Sequence, residues 1–106
     1  MDMYAAIAEP TRRNILELLA NSGQMTSTEI SNKFNISSPA ISQHLKVLRE
    51  AKLVDMEKRA QQRIYTINPE PMLEMGTWLE KLAKVWEERY NRLDALLERE
   101  QRKEVK

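Results

Sequence analysis

Side chains that could carry covalent or metal chemistry are scarce in this sequence. The 106 residues include no cysteine and one histidine, His44. Without cysteine there is no disulfide, no thiolate ligand and no nucleophilic thiol, and a single histidine cannot form a two-histidine metal site within one chain. Nor does the sequence show a glycine-rich phosphate loop or a pair of carboxylates placed for acid–base catalysis. We therefore predict no catalytic residue, no cofactor and no metal site.

The remaining polar chemistry is hydrogen bonding and charge, and the positive charge is concentrated in the middle of the chain. Overall, 17 Lys and Arg nearly balance 16 Asp and Glu, for a net charge of +1. Residues 33–63 alone hold seven basic and three acidic side chains, a net charge of +4. A local phosphate-binding face would give this distribution, and so would an ordinary solvated surface.

Four short helices are predicted to hold this segment in place. They cover about residues 2–8, 10–22, 27–34 and 38–51, with a capping box at 26–29 before the third and Ser37 or Ser38 capping the fourth. In the fourth helix, Ile41, Leu45 and Leu48 have the spacing of a buried stripe. This stripe leaves a polar outer face that carries Ala40, Ser42, Gln43, Lys46, Arg49 and Glu50.

A β-hairpin and one long helix are predicted to follow. Residues 53–58 and 63–67 alternate between apolar and polar side chains, which indicates half-buried strands, and the polar residues 59–62 connect them. Asn68 and Pro69 then suit the cap and first turn of a helix over about 70–101.

The long helix carries more apolar surface than one small domain can cover. Its apolar residues recur three and four apart in two overlapping sets, from Met72 to Leu97. Part of that surface is expected to bury against another chain, as a compact antiparallel or crossed pair of helices. The alternative is that the helix folds back on its own domain and ends in a frayed, charged tail.

The order of these elements is that of a winged helix-turn-helix, in which the second helix of the motif enters the major groove and the hairpin reaches the neighbouring backbone. Specific residues extend the likeness. Segments 8–19, 36–51, 52–54 and 63–65 resemble, in turn, the opening signature, the recognition helix and the wing strands of the ArsR family of bacterial transcriptional repressors, and segment 86–93 resembles the last helix of one branch. The resemblance implies a mainly α fold with a small β-hairpin wing, a single domain over 1–106, a DNA-binding core over about 2–67 and a dimerisation helix over about 69–101.

The resemblance also implies particular roles. A family member would bind a double-stranded DNA operator as a homodimer, and its recognition helix would contact bases. Gln43 can present a donor and an acceptor together to adenine, and serines suit any base edge. For His44, beside apolar Leu45, a half-buried structural role is favoured over DNA contact. The residues implied for the recognition helix are Ser38, Pro39, Ala40, Ser42, Gln43 and Lys46, those for the wing are Arg59, Gln62 and Arg63, and those for the dimer interface are Met3, Tyr4, Ile7, Trp78, Leu82 and Trp86.

Two departures from the family pattern stand out. The wing tip often has glycine where this chain has Ala60, so we expect the tip turn to avoid positive φ or to bend less sharply. Metal-sensing members use cysteines on the third helix or Asp, His and Glu on the last. Here residues 28–34 contain no Cys and residues 69–106 contain no His, so we expect no metal sensor of these kinds.

Two classes of function stay open on the sequence alone. The first is a sequence-specific DNA-binding regulator, most simply a homodimeric repressor of a palindromic operator with an unknown small-molecule or protein inducer. The second is a protein-interaction module that uses the long helix and has lost DNA binding. No apolar run reaches the roughly 18 residues that span a bilayer, and the first residues lack the pattern of a signal peptide, so we expect a cytoplasmic protein with no membrane partner.

Overall fold

The computed structural model describes residues 1–104, with side chains described for 1–100. Its chain folds into two compact units, Met1–Met72 and a second that begins at Leu73. The elements in chain order are α1 (Met3–Ile7), α2 (Pro10–Ser22), β1 (Met25–Thr26), α3 (Ser27–Asn32), α4 (Ser38–Glu50), β2 (Val54–Arg59), β3 (Gln62–Ile67) and α5 (Pro69–Glu104). The predicted helices and the predicted hairpin are all present.

Side-chain caps begin α2, α3 and α4, and the sequence predicted those of α3 and α4. The carboxylate of Glu9 accepts a hydrogen bond from the backbone N–H of Arg12 at the start of α2, 3.0 Å away. At α3 the predicted capping box is confirmed, because Thr26 and Glu29 each accept a hydrogen bond from the other's backbone N–H. Ser37 is the residue that caps α4. These bonds satisfy amide groups that have no partner within the helix.

The sheet has one strand more than the predicted hairpin. β1 pairs with β3, and β3 pairs with β2, all antiparallel, so that β3 is central. The sequence does not predict β1 because its two residues, Met25 and Thr26, are too few to show an alternation of apolar and polar side chains. Its pairing with Tyr65 and Ile64 ties the start of α3 to the hairpin.

The tip of the hairpin differs from the expectation. Arg59 pairs with Gln62, so only Ala60 and Gln61 connect β2 to β3, and Ala60 has a φ of +53°. The expectation that an alanine would avoid positive φ or loosen the turn is wrong. A two-residue hairpin connection needs positive φ to match the strand twist, and the pairing on both strands outweighs the steric cost of the alanine Cβ.

One apolar core holds the first unit together. Its largest fully buried side chains come from α2, α3, α4, β2 and the residue before β2: Ile15, Leu19, Ile30, Ile41, Leu45, Leu48, Leu53 and Val54. The predicted stripe of α4 is thus confirmed as buried. The third helix was predicted to reach residue 34 but ends at Asn32, and Phe34 beyond it is half-buried.

The turn after α4 fixes the junction between helix and hairpin. The N–H of Leu53 donates to the carbonyl of Leu48, and the N–H of Lys52 donates to the carbonyl of Arg49, each at 3.0 Å. Together with a φ of +64° at Lys52, this is a Schellman motif with lysine in the position that usually holds glycine. Asn68 reinforces the turn by donating to the carbonyls of Lys52 and Leu53.

Within the described residues, no helix is both long and apolar enough to cross a membrane.

Candidate nucleic-acid interface

The polar face of α4 is exposed because the opposite face is buried in the core. Ile41, Leu45 and Leu48 are each 0–1% exposed. With 3.6 residues per turn, the residues at the next positions along the chain must then point away from the core. Ser42, Gln43 and Lys46 are accordingly exposed. Since α3 packs on α4 and the turn between them is five residues long, the arrangement is that of a helix-turn-helix.

A groove lies between this face of α4 and the central strand of the sheet. We name it the recognition groove; it has a volume of about 480 Å³. Three of its side chains are cationic, Lys46, Arg49 and Arg63, and none is anionic. Its lining residues are Ser27, Pro39, Ser42, Gln43, Lys46, Arg49, Arg63 and Tyr65. Hydrogen-bonding groups on an exposed helix face, flanked by cations, suit the base edges and phosphates of a DNA double helix.

The structure brings together some of the residues predicted to bind DNA and separates others. Pro39, Ser42, Gln43, Lys46 and Arg63 all line the recognition groove. The remaining four, Ser38, Ala40, Arg59 and Gln62, do not contribute to its lining.

Each of those four has a different setting. The Ser38 hydroxyl lies 2.8 Å from the Ser31 hydroxyl, in a separate polar notch between α3 and α4. Ala40 is half-buried. Arg59 and Gln62 are exposed at the last paired position before the hairpin tip, where the wing of this fold class reaches the DNA backbone.

Three residues of the groove were missed by the sequence reasoning as contact residues. Arg49 follows Lys46 by three positions on one helix, a spacing that places both on the same face and that could have identified it. Ser27 and Tyr65 enter the groove through the pairing of β1 with β3. That pairing is a tertiary contact with no signal in the local sequence.

The wing carries two cations in direct opposition. Lys58 on β2 is paired with Arg63 on β3, and like charges placed opposite each other across two strands repel. Next to them, the Arg59 guanidinium makes two contacts of 3.3 Å with the carboxylate of Glu57 on the same strand. This pair is about 60% exposed, so it contributes little to stability and can exchange for a phosphate.

His44 does not point into the recognition groove. Its side chain is 21% exposed, and its Nδ1 lies 3.3 Å from a guanidinium nitrogen of Arg12 and 3.8 Å from the carboxylate of Glu9. Its position agrees with the structural role that the sequence favoured. For Glu9, desolvation alone would raise the pKa of the carboxyl. The hydrogen bond from the Arg12 amide, the charge interaction with His44 and hydrogen bonds from Thr11 outweigh it, and the pKa falls below its ordinary value of 4.5.

The residues predicted for a dimer interface fall in both units. On α1, Met3 and Ile7 are half-buried and Tyr4 is 40% exposed. On α5 the predicted residues are more exposed: Trp78 and Leu82 are each 48% exposed and Trp86 is 68% exposed. The large apolar residues of α5 with about half or more of their surface exposed are Leu73, Trp78, Leu79, Leu82, Val85, Trp86, Tyr90, Leu93, Leu96 and Leu97.

No group of three or more His, Asp or Glu side chains that could hold a metal ion occurs in the part of the chain that the structure describes. The chain contributes no cysteine.

Comparison with known proteins, like the geometry of the recognition groove, indicates a DNA-binding protein. Residues 9–56, which run from the cap of α2 into β2, match the model of the bacterial regulatory protein arsR family. Over 78 residues the chain is 37% identical to the transcriptional repressor SdpR of Bacillus subtilis, a match that covers 74% of this chain and 86% of SdpR.

The chain belongs to the ArsR family. It is a DNA-binding transcriptional regulator with a winged helix-turn-helix fold. The HTH-type transcriptional regulator Rv2034 of Mycobacterium tuberculosis is also 37% identical, over 74% of this chain and 72% of its own length. The crystal structure of the ArsR-family transcriptional regulator RHA00566 superposes with a TM-score of 0.72 at 28% identity, over 79% of this chain and 86% of that one.

Proposed function

We propose that this ArsR-family protein is a homodimeric repressor that binds a palindromic operator. In each subunit α4 enters the major groove, where Gln43 and Ser42 contact base edges. Lys46, Arg49 and Arg63 bind phosphates on either side. The observation that carries the proposal is the recognition groove, in which base-contacting and phosphate-binding side chains line one concave surface.

The wing supplies a second set of phosphate contacts. The repulsion between Lys58 and Arg63 is relieved when a phosphate binds between them, and Arg59 and Gln62 at the tip extend the contact along the backbone. Because Lys58 and Arg63 belong to paired strands, the hairpin positions both cations as a rigid unit.

The exposed apolar stripe of α5 supports the dimer. Trp78, Leu82 and Trp86 are spaced four apart, so they lie along one side of the helix. A continuous row of large apolar side chains, each about half exposed or more, is typical of a protein interface. α1 contributes Met3, Tyr4 and Ile7 to the interface. A two-fold dimer presents two copies of α4 to two half-sites about one helical turn of DNA apart.

Repression is favoured because the relative SdpR is a transcriptional repressor. The protein acts without catalysis and in the cytoplasm, where bacterial DNA lies. Any inducer is a small molecule or protein and not a metal held by thiolates or histidines, since the chain has no cysteine and one histidine.

Selection of DNA from a random-sequence pool tests this function. Purified full-length protein is mixed with duplexes of random sequence, and bound duplexes are amplified and sequenced over several rounds. We expect enrichment of an inverted repeat whose half-sites are separated by about 10 base pairs, centre to centre. Sedimentation of the complex should show two chains per duplex. Absence of any enriched sequence would overturn the proposal.

Two variants sharpen the same experiment. Lys46→Ala removes a cation that lines the recognition groove, and Lys33→Ala removes an exposed cation at the end of α3 that does not line it. We expect the first to weaken binding of the selected duplex by about tenfold and the second by less than twofold. Equal losses would indicate that the groove is not the contact surface.

A further inference from the structure

Arg12 makes contacts that neither the DNA interface nor the core accounts for. Its guanidinium Nε donates to the carbonyl of Ala6 at 2.6 Å, and one terminal nitrogen donates to the carbonyl of Ala5 at 3.4 Å. Both carbonyls belong to the last turn of α1, where backbone acceptors are incompletely paired, although the Ala5 carbonyl also accepts from the N–H of Ala8 at 3.2 Å. Arg12 on α2 therefore caps the C-terminal end of α1.

The same guanidinium also reaches α4. Its other terminal nitrogen lies 3.3 Å from Nδ1 of His44. A guanidinium can only donate hydrogen bonds, so Nδ1 is the acceptor in this contact. Glu9 completes the group, with its carboxylate 3.8 Å from Nδ1 and bonded to the Arg12 amide. Through these three residues, which we name the Arg12 cluster, α1, α2 and α4 meet at one point.

His44 is the sequence neighbour of Gln43, the residue proposed to contact a base. Successive residues of a helix are 100° apart around its axis, so fixing the side chain of His44 fixes the direction in which Gln43 points. The buried stripe of α4 holds the helix against the core, but apolar packing is non-directional. The bond from Arg12 to His44 is directional, so it adds a constraint on rotation of α4 about its own axis.

We propose that Arg12 is a positioning residue for DNA recognition: it fixes the rotation of α4 relative to α1 by bonding the end of α1 and His44 at the same time. The proposal rests on the function proposed above, in which α4 contacts bases and α1 contacts the partner subunit. A hydrogen bond to a base edge is lost when donor and acceptor move apart by a few tenths of an ångström beyond about 3.2 Å. A small rotation of α4 is therefore enough to weaken specific binding and leaves phosphate binding intact.

The neighbouring arginine provides a matched control. Arg13 also caps α1, since its guanidinium donates to the carbonyls of Ile7 and Ala8 at 2.8 and 3.0 Å, and none of its hydrogen bonds reaches α4. Arg13→Met removes one cation and one α1 cap, as Arg12→Met does. It leaves the bond to His44 in place.

The test is a double-mutant cycle between Arg12 and His44 in the full-length protein. Arg12→Met keeps the aliphatic chain and removes the donors, and His44→Phe keeps the ring and removes the acceptor. Affinity is measured by fluorescence anisotropy for the duplex that the wild type selects and for a duplex of unrelated sequence. Circular dichroism during heating shows whether each variant is folded at the temperature of measurement.

We expect each single variant to bind the selected duplex about tenfold more weakly and the double variant no more weakly than either. Binding of the unrelated duplex should change by less than twofold. His44→Gln restores a neutral acceptor and should return affinity to within about threefold of the wild type, and Arg13→Met should stay in the same range. If Arg12→Met does not fold, the comparison of His44→Phe with His44→Gln decides alone.

Three results would overturn the inference while leaving the proposed function in place. Additive losses in the cycle would show that the two side chains act independently. Equal losses on both duplexes would show a general effect of charge or folding, and a loss in Arg13→Met as large as that in Arg12→Met would show that capping α1 suffices. A wild type that selects no sequence would overturn the proposed function, and this inference with it. A wild type that selects a sequence together with an additive cycle would overturn the inference alone.

Discussion

At the scale of single residues, α4 separates structural side chains from those available to DNA. Gln43 and His44 are adjacent, yet Gln43 is exposed in the recognition groove and His44 turns toward Arg12 and Glu9. Consecutive residues of a helix point to different sides of it. Because one side of α4 is buried, Gln43 and His44 have different surroundings and different roles.

Replacing Gln43 should reduce discrimination more than affinity. A side-chain amide that bonds both N6 and N7 of adenine contributes about 1–3 kcal/mol of discrimination against a wrong base. In Gln43→Ala we expect that preference to be lost at one base pair of each half-site, and binding of unrelated DNA to stay unchanged. Competition of the selected duplex with its single-base variants measures this. An unchanged preference at every base pair would show that Gln43 does not contact bases.

The Glu9 carboxylate should make stability depend on acidity. Its pKa in the folded protein lies below the ordinary value of 4.5, so the ionised form is the one that folding favours. Its contribution is complete above that ordinary value and is lost as the pH falls through the lowered pKa. The expected result is a stability that declines in this acidic range more steeply in the wild type than in Glu9→Gln. Urea unfolding at a series of pH values measures the two slopes, and identical slopes would contradict the assignment.

At the scale of elements, the sequence predicts most of the fold because its signals are local. The capping box at Thr26, the cap of α4 at Ser37 or Ser38 and the apolar stripe of α4 each lie within a few consecutive residues. The structure confirms the box and the stripe, and it shows Ser37 as the cap. β1 and the positive φ of Ala60 were not predicted. Both depend on strand pairing between distant or opposing residues, which local patterns do not show.

The residues of the candidate site were likewise predicted from the sequence only where their signals are local. Its α4 residues share a short stretch of helix, so the sequence places them together. Ser27 and Tyr65 are brought to the groove by the sheet, and their presence there could be found only from the fold.

The wing tip should accept glycine with a gain in stability. Alanine at a φ of +53° is strained by its Cβ, and glycine adopts this conformation without that cost. We expect Ala60→Gly to raise the free energy of unfolding by about 0.5–1 kcal/mol, which is less than the strain relieved because the greater freedom of glycine in the unfolded chain offsets part of the gain. Thermal unfolding measures the change. A loss of stability would show that the strain at Ala60 is smaller than the entropy that glycine loses.

The apolar stripe of α5 should be the element that holds two chains together. Trp86→Glu places a charge in the stripe, and Lys84→Gln makes the same change of one charge unit about 160° away around the helix. We expect the first variant to sediment as a monomer at micromolar concentration and the second to remain a dimer. Sedimentation velocity distinguishes them. Dimers in both would place the interface elsewhere.

At the scale of the whole molecule, the net charge is small but the positive charge is concentrated in one segment. The chain carries +1 overall, yet residues 33–63, which contain α4 and the hairpin, carry a net charge of +4. In the proposed function, the first unit supplies the DNA-contacting surface, and the exposed apolar side chains of α5 bind a second copy. A dimer doubles the number of phosphate contacts, which is how a chain with little net charge can bind DNA.

The salt dependence of DNA binding tests this account most directly. The logarithm of affinity for the selected duplex is measured against the logarithm of salt concentration, for the wild type, Arg63→Ala and Lys33→Ala. Each phosphate contact contributes about 0.9 to the slope, so removing Arg63 from both subunits should reduce the slope by about 2. Lys33→Ala should leave it unchanged. A slope that does not change in Arg63→Ala would contradict the claim that the recognition groove is the DNA-binding surface.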